Sequence, residues 1–572
     1  MKSYLLQLAL LGLMISLTTG CETQSKEEAS PSPPFINPEL PERPNILWLV
    51  AEDQSPNIPT FGDSTIETPN LSRLAAEGVA YDQFYAPHPV CAPARAAIAT
   101  GMYANHISAS HMRTGPWFLD NMPPEIMERV KDYWPKGLEM YEAIPPAEVR
   151  MFSEYLREAG YFCTNNPKTD YQFRKTPTAW DESGPDASWT HRQAGQPFFA
   201  IYNFQVTHES QIWAKAKDSL WVAEDLDIPI PPYLPNTKKA KTDIRRMYSN
   251  IKEMDHQVGE LLKELEEAGE LEKTIIVWYT DHGGPLPRQK RLLYDSGLKV
   301  PMIIRFPGKA HAGERDDRIT SFIDLAATTL SMVGIKPPSY MEGTAFLGKH
   351  IRKEEPTYSF GAADRFDEKT DKVRSVRDKR YKYIRYYMPN EPMFLNVAYR
   401  NQMGIMQELL RLRDEGNLTE EQALWFRMTK PEEELFDIEA DPHELNNLAK
   451  DPAFAPKLQE LSSALDTWMA EHEDTGMMDE SELLKKLWPE GQQPVTQNPI
   501  IQLEDGKISI SSETEGASIG YKIWKKGEPA PQAWQIFQAP IELEAEMRVS
   551  AIAHRIGYLP SEEVNGSENA KN

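Results

Sequence analysis

The chain has 572 residues, 40% of them hydrophobic and 26% charged, with 46 prolines against 31 glycines. That is enough for a large domain and one or more smaller ones, and the composition excludes a coiled coil or a largely disordered protein. Its 86 acidic and 62 basic residues give a formal charge of -24, which excludes a nucleic-acid coat and requires any anionic ligand to be held by local cations. Screening beyond about 8 Å at physiological salt permits such local binding.

Lys2 and the apolar run 5–17 lead into Leu-Thr-Thr-Gly-Cys21. This reads as a bacterial lipoprotein signal, with residues 1–20 removed and Cys21 lipidated, although Thr18 stands where such signals usually place Leu. The expectation is an exported protein, lipid-anchored in the bacterial envelope (periplasm or outer-membrane surface), touching membrane only through that anchor. Residues 21–43 are polar and then proline-rich, and suit a tether. Cys21, Cys91 and Cys163 are the three cysteines, so no disulfide framework is expected, and Cys163 reads as a buried small hydrophobe.

Residues 45–51 form a continuous apolar run ending at Glu52-Asp53, which suits a strand buried on both faces. Three later runs have the same character: 198–204 before Thr207-His208-Glu209, 274–280 before Asp281-His282, and 301–306. Helical patterns lie between them, at 68–78 with a proline entry and glycine exit and at 244–268. The alternation predicts an α/β fold in which helices sandwich a sheet and chemistry gathers at the carboxyl ends of the strands. Residues 356–488 read as a smaller piece, with a strand at 381–387 and a helix through 406–412. After a Pro/Gln-rich link, 498–562 alternates in hydrophobicity at 507–511, 518–524 and 547–553, the pattern of short β-sandwich strands.

Cys91-Ala-Pro-Ala-Arg95, continued by Ala96-Ala-Ile-Ala-Thr100-Gly101, carries the most specific signal. Cys-x-Pro-x-Arg followed by a short apolar stretch and Thr-Gly resembles the signature of the formylglycine-dependent sulfatases, and the resemblance runs from about residue 45 to 448. It implies an alkaline-phosphatase-like fold, with a central mixed β-sheet flanked by helices over 44–355, a C-terminal α+β subdomain over 356–488 and the terminal β module after it. It also implies a maturation enzyme that converts Cys91 to formylglycine (3-oxoalanine), and one divalent cation, Ca²⁺ or alternatively Mg²⁺, held by Glu52, Asp53, Cys91, Asp281 and His282. Glu52 departs from the more usual Asp, and an imidazole is atypical for Ca²⁺. The hydrated aldehyde would attack sulfur in line, and its second hydroxyl would then expel sulfate.

By the same resemblance Arg95 holds the nucleophile, Lys168 and Lys290 bind sulfate oxygens, and His208 stands near the leaving-group oxygen, where a proton donor is needed. Asp170 occupies a position where many relatives have histidine. His106, His111, Arg113 and Arg365 are candidates for a substrate cleft or for structural roles. The strings around Glu52, Lys168 and Thr207 look like a bacterial branch acting on sulfated polysaccharides, with an ulvan-like substrate ahead of a heparan-type one and O- against N-sulfate open. The terminal module resembles the small β domain at the C-terminus of chitobiases. Two other classes remain: a phosphatase or phosphodiesterase of the same superfold, and a carbohydrate-binding lipoprotein with a dead site.

Overall fold

β1 (Asn45–Ala51) is apolar at every position but its first and is buried throughout. A run without alternation must be covered on both faces, and β1 lies inside an eight-stranded sheet. It pairs in parallel with β6 (Phe198–Phe204) on one side and β7 (Thr274–Thr280) on the other. β4 (Phe162–Asn166) and β5 (Glu182–Ser183) continue the parallel half beyond β6. β8 (Met302–Arg305) runs antiparallel to β7 and to β2 (Val79–Tyr81), and β9 (Glu314–Asp316) closes the edge, so the sheet is mixed. Trp48 of β1 meets Phe199 and Tyr279 edge-on at 5.1 and 5.6 Å, tying the three central strands through their side chains.

The computed structural model describes residues 35–115, 134–504, 506–542, 544 and 546–566. The leader, Cys21 and most of the expected tether lie outside the described residues. Over one face lies the thirty-residue helix Lys238–Glu267, which buries Ile244, Ile251, Val258 and Leu262 on one stripe. It starts six residues before the predicted run because Thr237 caps it, its side chain accepting from Ala240 N at 3.4 Å. Helix α1 (Pro69–Ala76) follows its proline entry as expected. Helix α2 (Cys91–Thr100) is buried along its whole length, which its small residues permit, and ends at Gly101 with φ 72°.

Two short strands, β3 (Phe84–Tyr85) and β10 (Thr320–Ser321), pair beside the main sheet. The following piece holds the antiparallel sheet β11 (Ser359–Ala363), β12 (Val373–Arg377), β13 (Tyr381–Tyr386) and β14 (Glu433–Asp437), with the helix Ala455–Glu471 packed on it through Leu461, Leu465 and Trp468. The last strands form two antiparallel sheets, of three and four strands, that share Ile508, Ile510, Val549 and Ala551 as a core. This sandwich touches the region of the helix Phe152–Glu158. Ser518 donates to Glu154 at 3.0 Å, Arg157 donates to the Trp534 carbonyl at 2.7 Å, and a Cβ on Gly516 would stand 1.9 Å from the Ala147 carbonyl.

Register positions the chemistry. Ala51 is level with both Phe204 and Thr280, so three chain segments leave the sheet side by side. Beyond the strands, Glu52 N donates to Phe204 O at 3.3 Å and Asp281 N to Ala51 O at 3.1 Å, which carries the alignment into the loops.

Candidate active site

Glu52-Asp53 follows β1, Lys168 lies two residues past β4, His208-Glu209 follows β6, and Asp281-His282 follows β7. Cys91 opens α2, whose first amides have no side-chain cap and whose dipole favours negative charge at that end. Lys290 and Arg291 come from the loop before β8. That loop packs closely: a Cβ on Gly283 would sit 2.1 Å from the Ser296 carbonyl, so only glycine lets Asp281-His282 turn in against it. Asp53, Arg113, Asp170 and Arg291 all have positive φ without being glycine. Each such residue costs about 1–3 kcal/mol, and such residues gather where surrounding contacts over-determine the backbone.

Asp53 is the hub. Lys290 Nζ lies 2.9 and 2.8 Å from its two oxygens, His282 Nε2 is 3.0 Å from Oδ1, and Glu209 N donates to Oδ2 at 2.7 Å. Cys91 Sγ is buried among these groups, 3.3 Å from His282 Nε2, 3.5 Å from Lys290 Nζ and 3.8 Å from Asp53 Oδ1. Asp53, Cys91, Asp281 and His282 bring their ligand atoms within 4.8 Å of one another. His282 Nδ1 meets Gly283 O at 2.9 Å, so that nitrogen carries a proton and Nε2 faces the cluster. Burial would lower the His282 pKa, but Asp281 and Asp53 raise it to about 10. Burial likewise opposes the Asp53 carboxylate, and Lys290, His208 and His282 overcome it, holding its pKa well below the usual range.

His208 has the opposite balance. Burial and Lys290 push it down to about 3 despite the nearby Asp53. Its Nδ1 lies 2.8 Å from Ser210 Oγ and 3.3 Å from Ser210 N, and its Nε2 lies 3.4 Å from Lys290 Nζ. Burial opposes the charge on Lys168 and Lys290, but Cys91, Glu52 and Asp170 around the first and Asp53, Cys91 and Glu209 around the second outweigh it, raising both pKa values.

All nine predicted site residues, Glu52, Asp53, Cys91, Arg95, Lys168, His208, Asp281, His282 and Lys290, share this cluster, with two differences of detail. Glu52 accepts from Lys168 at 3.0 Å and lies 3.6 Å from Arg95, burial raises its pKa, and it offers a ligand atom within 4.8 Å of those of Asp53 and His208. Arg95 grips Asp281 at 3.1 Å and Asn203 at 2.6 Å rather than Cys91. Asp170 stays beside Lys168 at 3.7 Å.

Among the other candidates, Arg113 reaches the site's rim, 3.3 Å from Asp367 and stacked at 5.2 Å on the Tyr399 ring, which itself lies 6.4 Å from the His208 ring. Arg365 is structural: it is buried and fixed by Glu480 at 2.6 and 2.9 Å. His111 is buried behind it, and His106 joins Glu342 elsewhere. Cys163 is buried, as expected. Sequence reasoning assigned no role to Glu209, Arg291 and Asp367. Arg291 binds Glu209 in a fork at 3.0 and 2.7 Å and lies 3.5 Å from Asp367, while Glu209 also meets Lys290 at 3.2 Å. The available signal was adjacency: Glu209 follows His208, and Arg291 follows Lys290.

Known proteins resemble this chain in sequence and in fold. The family model described as Sulfatase matches residues 44–335, and that of the C-terminal part of N-sulphoglucosamine sulphohydrolase matches 288–400. A protein of Formosa agariphila named ulvan-active sulfatase is 47% identical, over 96% of each chain. Human N-sulphoglucosamine sulphohydrolase is 25% identical over 75% of this chain and 90% of its own. Among solved structures, a protein in complex with its substrate D-glucosamine-2-N,6-O-disulfate shares the fold at 17% identity and a TM-score of 0.53, covering 76% of this chain and 100% of that one.

Proposed function

The chain belongs to the sulfatase family and is a sulfuric ester hydrolase, and from that premise we propose that it desulfates an ulvan-like algal polysaccharide or its oligosaccharides, with Cys91, converted to formylglycine, as nucleophile. The observation that carries the chemistry is Cys91 Sγ at a helix N-terminus, within 3.8 Å of Asp53, His282 and Lys290. The substrate class rests on the 47% identical relative and its printed name.

The donor set fits one divalent cation. Asp53, Asp281 and Glu52 offer carboxylate oxygens beside position 91, and His282, whose other nitrogen is engaged by Gly283 O, would offer Nε2 on giving up its proton to the arriving cation. Three carboxylates favour a hard ion, and Ca²⁺ or Mg²⁺ is proposed. When bound, it would supply the positive charge that favours an ionised nucleophile oxygen. Arg95 holds Asp281 in place, and Glu52 balances Arg95 and Lys168. Lys168 and Lys290 bind the sulfate oxygens, which is how a chain of charge -24 attracts an anion. His208 would donate a proton to the bridging oxygen, and an arriving sulfate would supply negative charge that moves its pKa back up. Proton donation there is worth roughly 10² to 10⁴-fold, so charge stabilisation by the cationic cluster supplies most of the acceleration.

A second reading, a heparan-type glycosaminoglycan sulfatase, is favoured by the likeness to human N-sulphoglucosamine sulphohydrolase. One experiment separates the readings: coexpression with a formylglycine-generating enzyme, mass spectrometry of the Cys91 peptide, then desulfation assays on ulvan-derived and heparan-derived oligosaccharides with phosphate esters beside them. Aldehyde at Cys91 with sulfate release from the ulvan set is expected. An unmodified thiol sinks the nucleophile assignment, turnover of phosphate esters alone makes the chain a phosphatase, and an aldehyde with no turnover of the ulvan set overturns the substrate assignment.

Export and lipidation at Cys21 belong to the same proposal, supported by the sequence pattern of residues 1–21, as does the division into 44–355, 356–488 and 498–562. Among the described residues no helix is long and apolar enough to cross a membrane.

A further inference from the structure

Away from Cys91, a second group of metal-ligating side chains converges. His106 closes the short turn Ala104–His106 that follows α2, Glu342 lies in the segment held against Gly101, and His472 caps the helix Ala455–Glu471. Glu342 Oε1 is 2.6 Å from His106 Nδ1 and 3.2 Å from His472 Nε2, and ligand atoms of all three residues lie within 4.8 Å of one another. The two imidazole rings stand 5.0 Å apart. Glu342 Oε2 is occupied by the backbone N–H of Tyr103 at 2.6 Å, which aims Oε1 at the imidazoles.

Three features distinguish this group from an ordinary ion pair. The His106 side chain is 1% exposed and its Nε2 is buried without a hydrogen-bond partner, so its polar contact runs through Nδ1 into the cluster. Its ring is clamped against Trp468 at 5.1 Å, and Trp468 stacks on Phe360 at 5.0 Å, so it cannot swing out to water. A cavity of about 260 Å³, lined by Tyr103, Asp324, Glu342, Trp468 and His472, opens beside two of the three ligand residues, Glu342 and His472.

We propose that His106, Glu342 and His472 bind a divalent late first-row transition metal ion of the Zn²⁺ class, with the fourth coordination position facing that cavity. Two imidazoles and one carboxylate are a Zn²⁺ donor set and a poor one for Ca²⁺ or Mg²⁺, which require mostly oxygen. Bond lengths of about 2.0–2.1 Å put tetrahedral ligand atoms about 3.3 Å apart. The His472–Glu342 distance already matches, and the His106–Glu342 contact must open by about 0.7 Å, as a flexible Glu side chain allows. The ion would pin the chain just beyond α2 to the end of the helix Ala455–Glu471, a staple placed apart from the Asp53 cluster and of different metal preference.

The test uses the full matured protein stripped of metal and then saturated with Ca²⁺. Zn²⁺ titration by calorimetry, and Co²⁺ titration followed by visible absorption, are carried out on the wild type, His472→Ala, Glu342→Gln and Asp281→Asn. His472 is half exposed, so its variant is the one expected to fold normally, which circular dichroism checks. The wild type should take up one Zn²⁺ equivalent and give the intense visible bands of four-coordinate Co²⁺. His472→Ala should weaken that equivalent at least 100-fold, and Asp281→Asn should leave it intact. Wild type and His472→Ala binding Zn²⁺ alike would overturn the proposal, and so would loss of the equivalent in Asp281→Asn alone.

Discussion

The cluster around Asp53 and the group around Glu342 both combine imidazole with carboxylate, yet they are built in opposite ways. The first gathers four carboxylates, Glu52, Asp53, Glu209 and Asp281, with the cations Arg95, Lys168, Lys290 and Arg291, all but Arg95, which is on α2, on segments that follow adjacent strands. The second has one carboxylate between two imidazoles, on turns and a helix end, backed by aromatic rings. Chemistry on an anion needs many fixed charges held out of water, which a sheet edge can organise. A three-ligand clamp needs reach between distant segments, which turns supply.

The largest expected effect comes from Cys91→Ala, which should cut kcat/KM for sulfate esters by at least about 10⁴-fold with the fold intact by circular dichroism; retained turnover would mean that reaction and cluster have been wrongly joined. His208→Ala should lower kcat by roughly 10² to 10⁴-fold on a substrate with a poor leaving group, and by much less on an activated aryl sulfate, whose departing oxygen needs no proton. Equal losses on both would show that His208 merely supports Lys290. Lys168→Ala should cost about 10² to 10³-fold, seen as a split between kcat and KM in steady-state assays. Glu209→Ala leaves the buried Arg291 without its fork and should destabilise the protein by about 3–5 kcal/mol in denaturant melts. The smallest effect belongs to the second group: His472→Ala should change kcat less than twofold while weakening the extra Zn²⁺ equivalent at least 100-fold, and a large loss of activity would erase the contrast between the two regions.

Much of the first region was legible because β1, β6 and β7 are covered on both faces and so read as unbroken apolar runs, with the polar residue that ends each run landing at the site. Cys91-Ala-Pro-Ala-Arg95 was legible for its residue types alone. The rest depended on loops. Nothing local tells Glu52 to turn toward Lys168 while its neighbour Asp53 takes the hub, since strand alternation sends consecutive side chains to opposite sides only after the direction of one is known. The contact of Arg95 with Asp281 spans 186 positions, and that of Arg291 with Asp367 spans 76. His106 was singled out as a candidate for the cleft, but its partners Glu342 and His472 lie in segments whose meeting no periodicity announces.

The level pairing of Ala51 with Phe204 and Thr280 has a bearing on how such an enzyme diversifies. Deleting one residue from β1 would draw Asp53 back by about 3.3 Å and reverse the faces of Glu52 and Asp53 together, so the strands cannot be edited gradually. Segments outside the main sheet, such as those carrying Arg113 and Tyr399, can exchange side chains without moving Asp53. New sugars are therefore best sought by grafting or randomising those segments, with the strand ends left untouched.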